Sequence, residues 1–341
     1  MAYRFDLPSL ANLTIPQRSA VSDTNAIALM GGPGTGKSVV SLYRHLNNNE
    51  NGIHSLLLTY TTTLKLYLQS CCRLKSQNAA ANTQTSLHAL YTLRTNFDEI
   101  IVDEAQDIDI DKYDTIRHHA DKVSYGADEK QSLYNGASCE QLRRAFPNNK
   151  VHILDKNFRN TKSILRLCMS LFPYSNISMQ EVNSCRVTGN LPDLYIFNDW
   201  NWDTKSSNSQ DYAIIELVGD KANQAGHNIA VLCPFANNVE YFYRLLSKRF
   251  SGVTYYYSRG NTEVGCQEID HIHVTTFKSA KGLEFDTVII PNFDAVKQDL
   301  SSFNTSWKDF YVGVTRSRTN LHLLSKTSIP QTDGLVNKQN I

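Results

Sequence analysis

Short apolar runs set off by polar, glycine-bearing stretches recur along the chain: AIALM at 26–30, HSLLLT at 54–59, EIIV at 99–102 and VHIL at 151–154. NIAVLC at 228–233, VTYYY at 253–257, the run at 271–276, TVII at 287–290 and the run at 320–324 continue the series. Runs this short and this continuously apolar suit strands buried on both faces. Helix-like stretches separate them, at 161–171, 211–225 and 238–250 among others. Such alternation predicts an α/β fold with a doubly wound parallel sheet, whose ligands sit at the C-terminal ends of the strands.

Local signals refine the order. Thr14 is placed as an N-cap and Pro16 suits a first helical turn, so a short helix should precede the first strand. Residues 47–52 read as a turn, and 60–63 open a helix. A Gln/Asn/Ala-rich connection follows, and 86–90 begin another helix. The segment 172–210 is irregular, with one candidate strand at 194–197, and suits a link between halves. Trp200 and Trp202 within it read as packing residues rather than ligand-stacking ones. A second βα pattern follows the link, with residues 311–316 on a helix. The expected division is 1–160 and 161–341.

Between the first strand and its helix stands Gly31-Gly32-Pro33-Gly34-Thr35-Gly36-Lys37-Ser38. Strand, glycine-rich turn and helix with G-x-x-x-x-G-K-S spacing form a phosphate-binding loop. Gly32, Gly34, Thr35 and Gly36 let backbone N–H groups approach phosphate, and the helix N-terminus adds partial positive charge. Lys37 can reach the β- and γ-phosphates, and the Ser38 hydroxyl can ligand Mg²⁺. The run at 99–102 ends in Asp103-Glu104-Ala105-Gln106-Asp107. Downstream of a P-loop, Asp103 can hold the metal shell and Glu104 can orient or deprotonate the attacking water. A P-loop kinase acting on a small molecule is the weaker reading, because it leaves the DEAQD–Gln131 pair and the second-half arginine unexplained.

At 341 residues there is room for two domains, and 41% hydrophobic with 20% charged residues suits a soluble globular protein. A net charge of +1 advertises no polyanion partner, so any nucleic-acid contact must be a local groove. Seven cysteines with no C-x-x-C spacing read as reduced thiols in a cytoplasmic setting rather than as disulfides or zinc ligands. No apolar run of membrane-spanning length occurs, and the first residues lack a signal peptide's apolar core.

The ordered series of motifs resembles the UvrD/Rep-type superfamily 1 DNA helicases along essentially the whole chain. The matching residues are Gln17, GGPGTGKS, Leu58-Thr59-Tyr60-Thr61, DEAQD at 103–107 and Asp128-x-x-Gln131-Ser132-Leu133-Tyr134. Asn157-Phe158-Arg159, Ala230-Val231-Leu232, Ser279-Ala280-Lys281-Gly282-Leu283-Glu284-Phe285 and YVGVTR at 311–316 complete it. The resemblance implies two RecA-like (P-loop NTPase) domains in tandem with mostly parallel sheets, ATP and Mg²⁺ as cofactors, and single-stranded DNA as partner, with RNA left open. It implies that Gln17 reads the adenine, Phe158 stacks on it, and Gly282 and Glu284 lie at the nucleotide with Glu284 on the ribose. Gln131 would sense the γ-phosphate, and Arg159 and Arg316 would serve as arginine fingers. Tyr60 and Tyr134 match aromatics near bases, with core packing as the rival role. Thr59, His88 and Lys278 are candidates for phosphate contact.

The chain also departs from that family. The two large accessory insertions are missing: 61–86 leaves room for a helix and a loop, and 259–270 for a loop only. Lys278 stands where His is common, Ala127 replaces Gly, and Ser86 replaces Thr. Asn135-Gly136-Ala137 lacks the aromatic-Arg pair, and Trp307-Lys308-Asp309 replaces Arg-Arg-Leu. A bare motor core is expected, translocating 3′-to-5′ by analogy with weak unwinding, or else serving as motor or switch subunit of a nuclease-containing repair or anti-phage complex.

Overall fold

The computed structural model describes residue 3 and residues 7–134, 136–197, 209–259, 262–266, 268–298 and 305–341. Trp200 and Trp202 lie outside these. The chain forms two compact units, one of Phe5–Phe158 and one of Arg159–Ile341 together with Tyr3.

The first unit is a six-stranded sheet in the order β3-β2-β4-β5-β1-β6. Its strands are β1 (Ile27–Met30), β2 (Ser55–Thr59), β3 (Thr83–Thr85), β4 (Phe97–Val102), β5 (Ala120–Ala127) and β6 (Lys150–Ile153). Every pairing is parallel. Alternate residues of β1 serve opposite faces: Ala28 packs with Leu56, Ile100 and Tyr125, whereas Ile27 and Leu29 pack with Ala20 and Val40. Burial on both faces explains why the strands read as unbroken apolar runs.

Helix α1 (Ile15–Ser22) begins at the Thr14 cap, with Gln17 closing a capping box. Helix α2 (Lys37–Glu50) corrects the turn expected at 47–52: the helix runs on to Glu50, and Gly52 takes the left-handed conformation after it (φ 74°). The reason is buried. Asn48 donates to Glu99 Oε2 (2.7 Å), and Arg44 pairs with Glu99 Oε1 (2.7 Å). A second correction falls between β2 and the next helical segment. After α3 (Thr62–Arg73) the expected connection forms α4 (Gln77–Ala81) and the edge strand β3. Ser76 caps α4, and Gln69 donates to the Thr83 carbonyl (2.8 Å). Helices α5 (Ser86–Thr92), α6 (Lys112–His118) and α7 (Cys139–Ala145) complete the unit.

The second unit has a mixed eight-stranded sheet in the order β10-β9-β11-β8-β12-β13-β7-β14. Its strands are β7 (Asp193–Ile196), β8 (Ile229–Cys233), β9 (Val253–Arg259), β10 (Thr262–Gly265), β11 (Ile272–Thr276), β12 (Phe285–Ile290), β13 (Ser317–Ser325) and β14 (Asn337–Asn340). Only β9–β10 pairs antiparallel; this hairpin stands where a loop was expected. Strand β14 beside β7 was not anticipated, because its residues are polar and exposed. The segment expected to be an irregular link carries β7 and, with α8 (Lys162–Leu171) before it, α9 (Met179–Ser184). Helices α10 (Ser209–Ala222) and α11 (Ala236–Ser247) flank a core of Ile229, Val231, Ile272, Val274 and Phe242. Helix α12 (Trp307–Val314) ends two residues before Arg316, which therefore lies at the α12–β13 junction. Among the described residues, no helix is long and apolar enough to cross a membrane. The architecture is α/β throughout, two RecA-like units in tandem.

Candidate nucleotide site

The glycine-rich loop joins the end of β1 to α2. Gly36 caps α2 at φ 88°, and a Cβ there would stand 2.5 Å from Gln17 Nε2. Only glycine fits both demands. Thr35 Oγ1 donates to the Gly32 carbonyl (2.9 Å), and Gly34, also left-handed at φ 68°, accepts from the Phe158 backbone N–H (2.8 Å). Asn157 donates to the Pro33 carbonyl (3.0 Å). The loop after β6 is thereby tied to the phosphate loop, and half-buried Phe158 is held beside it. Gln17 is buried with both ends of its amide engaged. Oε1 accepts from the Thr14 N–H (2.8 Å), and Nε2 donates to the Thr35 carbonyl (2.9 Å).

Lys37 is buried, with Nζ donating to the carbonyls of Gly31 (2.8 Å) and Gly32 (2.9 Å), and stands 3.7 Å from Asp128 Oδ2. Asp103, at the end of β4, accepts from Ser41 (3.3 Å) and from the Ser38 hydroxyl. Burial, and after it the Glu104 charge, push the Asp103 carboxyl well above the usual range; Ser38 and Lys37 oppose the shift. Its second oxygen is buried without a hydrogen-bond partner. An orphaned carboxylate oxygen beside a serine hydroxyl fits a hard divalent cation that keeps water and phosphate oxygens as its other ligands. Ser38 and Asp103 are the residues that could hold such a cation.

Glu104 takes a left-handed backbone (φ 57°), a strained conformation for this residue type that turns the chain sharply after β4. Its carboxylate accepts from Gln106 Nε2 (2.5 Å), and Gln106 Oε1 accepts from the Asp128 N–H (3.0 Å). Asp128 in turn accepts from Gln131 Nε2 (2.6 Å). Asp128 thus stands at the junction of Lys37, Gln106 and Gln131. Neither Gln106 nor Asp128 was singled out from the sequence, although both lie in quoted motifs. Polar residues after a strand give no periodic signal that separates a network hub from a solvated turn. Gly136 shows the same closeness, since a Cβ on it would lie 2.3 Å from the Gln106 carbonyl oxygen.

The candidates for strand contact are less uniform. Tyr60 and Tyr134, both half-buried, pack against each other with rings tilted by 40° and centroids 4.4 Å apart. Thr59 is buried, and its hydroxyl lacks a partner. His88 is exposed on α5, whose N-cap Thr85 accepts its backbone N–H (3.4 Å). In the second unit, Lys278 is half-buried near Asp309, where its charge offsets part of the burial that raises that carboxyl.

The remaining expected site residues of the second unit converge. Gly282, left-handed at φ 82°, precedes Glu284 in the loop leading to β12. Glu284 Oε2 accepts from Arg159 Nε (2.9 Å). Arg316 is fully buried and donates to the carbonyls of Val312 (3.0 Å) and Leu283 (3.3 Å). Asn160 donates to the Thr315 and Ser317 carbonyls (3.0 and 2.8 Å), holding the neighbour of Arg159 to the Arg316 turn. Arg318 lies 3.7 Å from Glu284 Oε1; the sequence did not mark it.

Fold and loop together define two RecA-like α/β units, the first with a phosphate-binding loop after its first strand. Residues 271–324, from the start of β11 nearly to the end of β13, match the UvrD-like helicase C-terminal domain family. That stretch of the second unit is similar to a helicase-type C-terminal domain, and the match supports the UvrD/Rep-type resemblance drawn from the motifs. Among solved structures, the chain is similar to the C-terminal domain of a possible DNA helicase from Lactobacillus plantarum WCFS1. The identity is 17% and the TM-score 0.37, over 53% of this chain and 98% of that one. No curated protein matches.

Proposed function

We propose that this chain is an ATP-hydrolysing motor of the superfamily 1 helicase type, stimulated by single-stranded DNA and moving along it 3′-to-5′. One observation carries the reading: the groups suited to phosphate and those suited to bases belong to one connected set. Lys37 meets Asp128, Asp128 holds Gln131, and the loop after Gln131 is tied by Ser132 Oγ to the Tyr134 carbonyl (3.1 Å), with Tyr134 packed against Tyr60. Such a connection lets a change at the γ-phosphate alter the grip on a strand. In this reading Lys37 and the loop N–H groups bind the phosphates, and Ser38 and Asp103 hold Mg²⁺, which supplies charge neutralisation to the transferred phosphoryl group. Glu104 takes the proton of the attacking water. Arg159 and Arg316 are the arginine-finger candidates, and such a finger contributes roughly 10³–10⁵ in rate.

The test is steady-state ATP hydrolysis with and without single-stranded DNA, single-stranded RNA and duplex. Turnover that rises many-fold with single strands alone is expected. Turnover indifferent to every oligonucleotide refutes the motor.

A second reading makes the chain the motor or switch subunit of a nuclease-containing assembly. The observation favouring it is the small size of the two segments where the resembled family carries its insertions, filled here by α3, α4 and β3 and by the β9–β10 hairpin. Purification with its native neighbours that returns only a self-sufficient monomer counts against it.

A further inference from the structure

Helix α2 turns a polar stripe toward β4. Ser38, Ser41, Arg44 and Asn48 recur every three or four residues and so share one face of the helix. Opposite them, the Asp103 N–H still donates to the Leu58 carbonyl (2.8 Å), so the alternation of β4 runs on and puts Asp103 on the same face as Glu99. Each carboxyl group meets the helix. Arg44 Nε and Asn48 Nδ2 donate to Glu99, one to each oxygen (2.7 Å both), and Ser41 Oγ donates to Asp103 Oδ1 at 3.3 Å. All of these side chains are buried. Gly126 of β5 stands on the same side of Asp103, since a Cβ on it would lie 3.5 Å from Oδ1. Helix and strand thus enclose Oδ1, whereas Oδ2 is the oxygen without a hydrogen-bond partner.

We propose that Ser41 is a positioning residue for Asp103: its hydroxyl holds Oδ1 and so keeps Oδ2 presented to a divalent cation shared with Ser38. The proposal rests on the ATPase reading above and lies wholly within the first unit. A carboxyl group turns about its Cβ–Cγ bond in a broad, two-fold well, so an unheld Asp103 would offer either oxygen. A donor on one oxygen removes that freedom. Outer partners do the same for metal ligands in general, and their loss costs about 10- to 100-fold in metal affinity. At 3.3 Å the bond itself is weak, so its effect lies in direction rather than strength. The place of the hydroxyl is secured further along the helix. Arg44, one turn on, and Asn48, two turns on, both hold Glu99, which stops α2 from sliding along β4.

The experiment measures Mn²⁺ bound to the full chain with ADP, by electron paramagnetic resonance, for wild type, Ser41→Ala and Ser41→Thr. ADP affinity without cation is measured alongside, and thermal melts establish folding. Ser41→Ala should weaken Mn²⁺ binding about ten- to hundred-fold, while cation-free ADP binds as it does to wild type. Ser41→Thr keeps the hydroxyl and should recover most of the loss. Turnover should show the same split. The Mg²⁺ concentration for half-maximal hydrolysis rises by the same factor, and kcat at saturating Mg²⁺ stays within about two-fold. Three results overturn the proposal. The first is Mn²⁺ affinity in Ser41→Ala equal to or above wild type. The second is an equal loss of cation-free ADP affinity, which would assign the serine to the shape of the phosphate loop. The third is a Ser41→Thr that melts with wild type yet binds Mn²⁺ no better than Ser41→Ala. A wild type that binds neither ADP nor Mn²⁺ fails differently, by removing the ATPase reading itself.

Discussion

Two sets of candidate residues share the first unit and are built in different ways. The phosphate set of Lys37, Asp103, Glu104, Asp128 and Gln131 is buried, and Lys37, Gln131 and, through Gln106, Glu104 are joined at Asp128. The strand set of Thr59, Tyr60, His88 and Tyr134 runs from buried to exposed, with Tyr60 and Tyr134 packed as a tilted pair. Phosphoryl transfer accounts for the first, because charge must be aimed at a fixed point before the reaction begins. Sequence-tolerant base stacking accounts for the second, because any base offers a π-face and the partner must slide. Rigidity is concentrated where chemistry needs it.

The sharpest way to break this contrast is at Glu104. Glu104→Gln should lose roughly 10²–10⁴ in turnover while nucleotide affinity stays near wild type; normal turnover would remove the residue from catalysis. Next comes the connection. Gln106→Ala leaves the Asp128 N–H and the Glu104 carboxylate without the side chain that joins them. It should cut kcat about ten- to hundred-fold through misplacement alone, and an unchanged kcat would show the network to be structural. A smaller effect is expected at Tyr134. Its change to Ala should weaken single-strand binding by about 1–3 kcal/mol, the worth of one stacked base, with basal hydrolysis little changed. Equal binding measured by fluorescence anisotropy would assign the tyrosine pair to packing.

The smallest effect concerns pH and reports on the scaffold. Burial lowers His45 to about 4 and His273 to about 3, against 6.5 for a free imidazole. Both are neutral in either state above pH 6.5, so their stabilising contribution is complete there. It is lost as pH falls from 6.5 towards 3–4, because the unfolded chain takes up protons that the folded chain refuses. The melting temperature should drop between pH 7 and 5, and less so in His273→Gln. An equal drop in that variant would show that other groups carry the acid sensitivity.

Much of the fold could be read from the apolar runs because both faces of each sheet are covered, as Ile27, Ala28 and Leu29 show by packing on alternate sides. What escaped notice was polar. Strand β14 has the sequence NKQN, and the helical extension at 47–50 consists of Asn-Asn-Asn-Glu; contacts made at a distance along the chain hold both. The same holds at the site. The P-loop spacing is local and legible, whereas Gln106, Asp128 and Arg318 acquire their places only when strands far apart in sequence come side by side.

Gln17 carries a last implication. Its amide is spoken for at both ends, clamping the first turn of α1 to the crest of the glycine-rich loop. A purine that recruits this side chain must loosen one of those two holds. Arrival of the base would then be felt at Thr14 as well as in the loop, so the start of α1 becomes a reporter of occupancy.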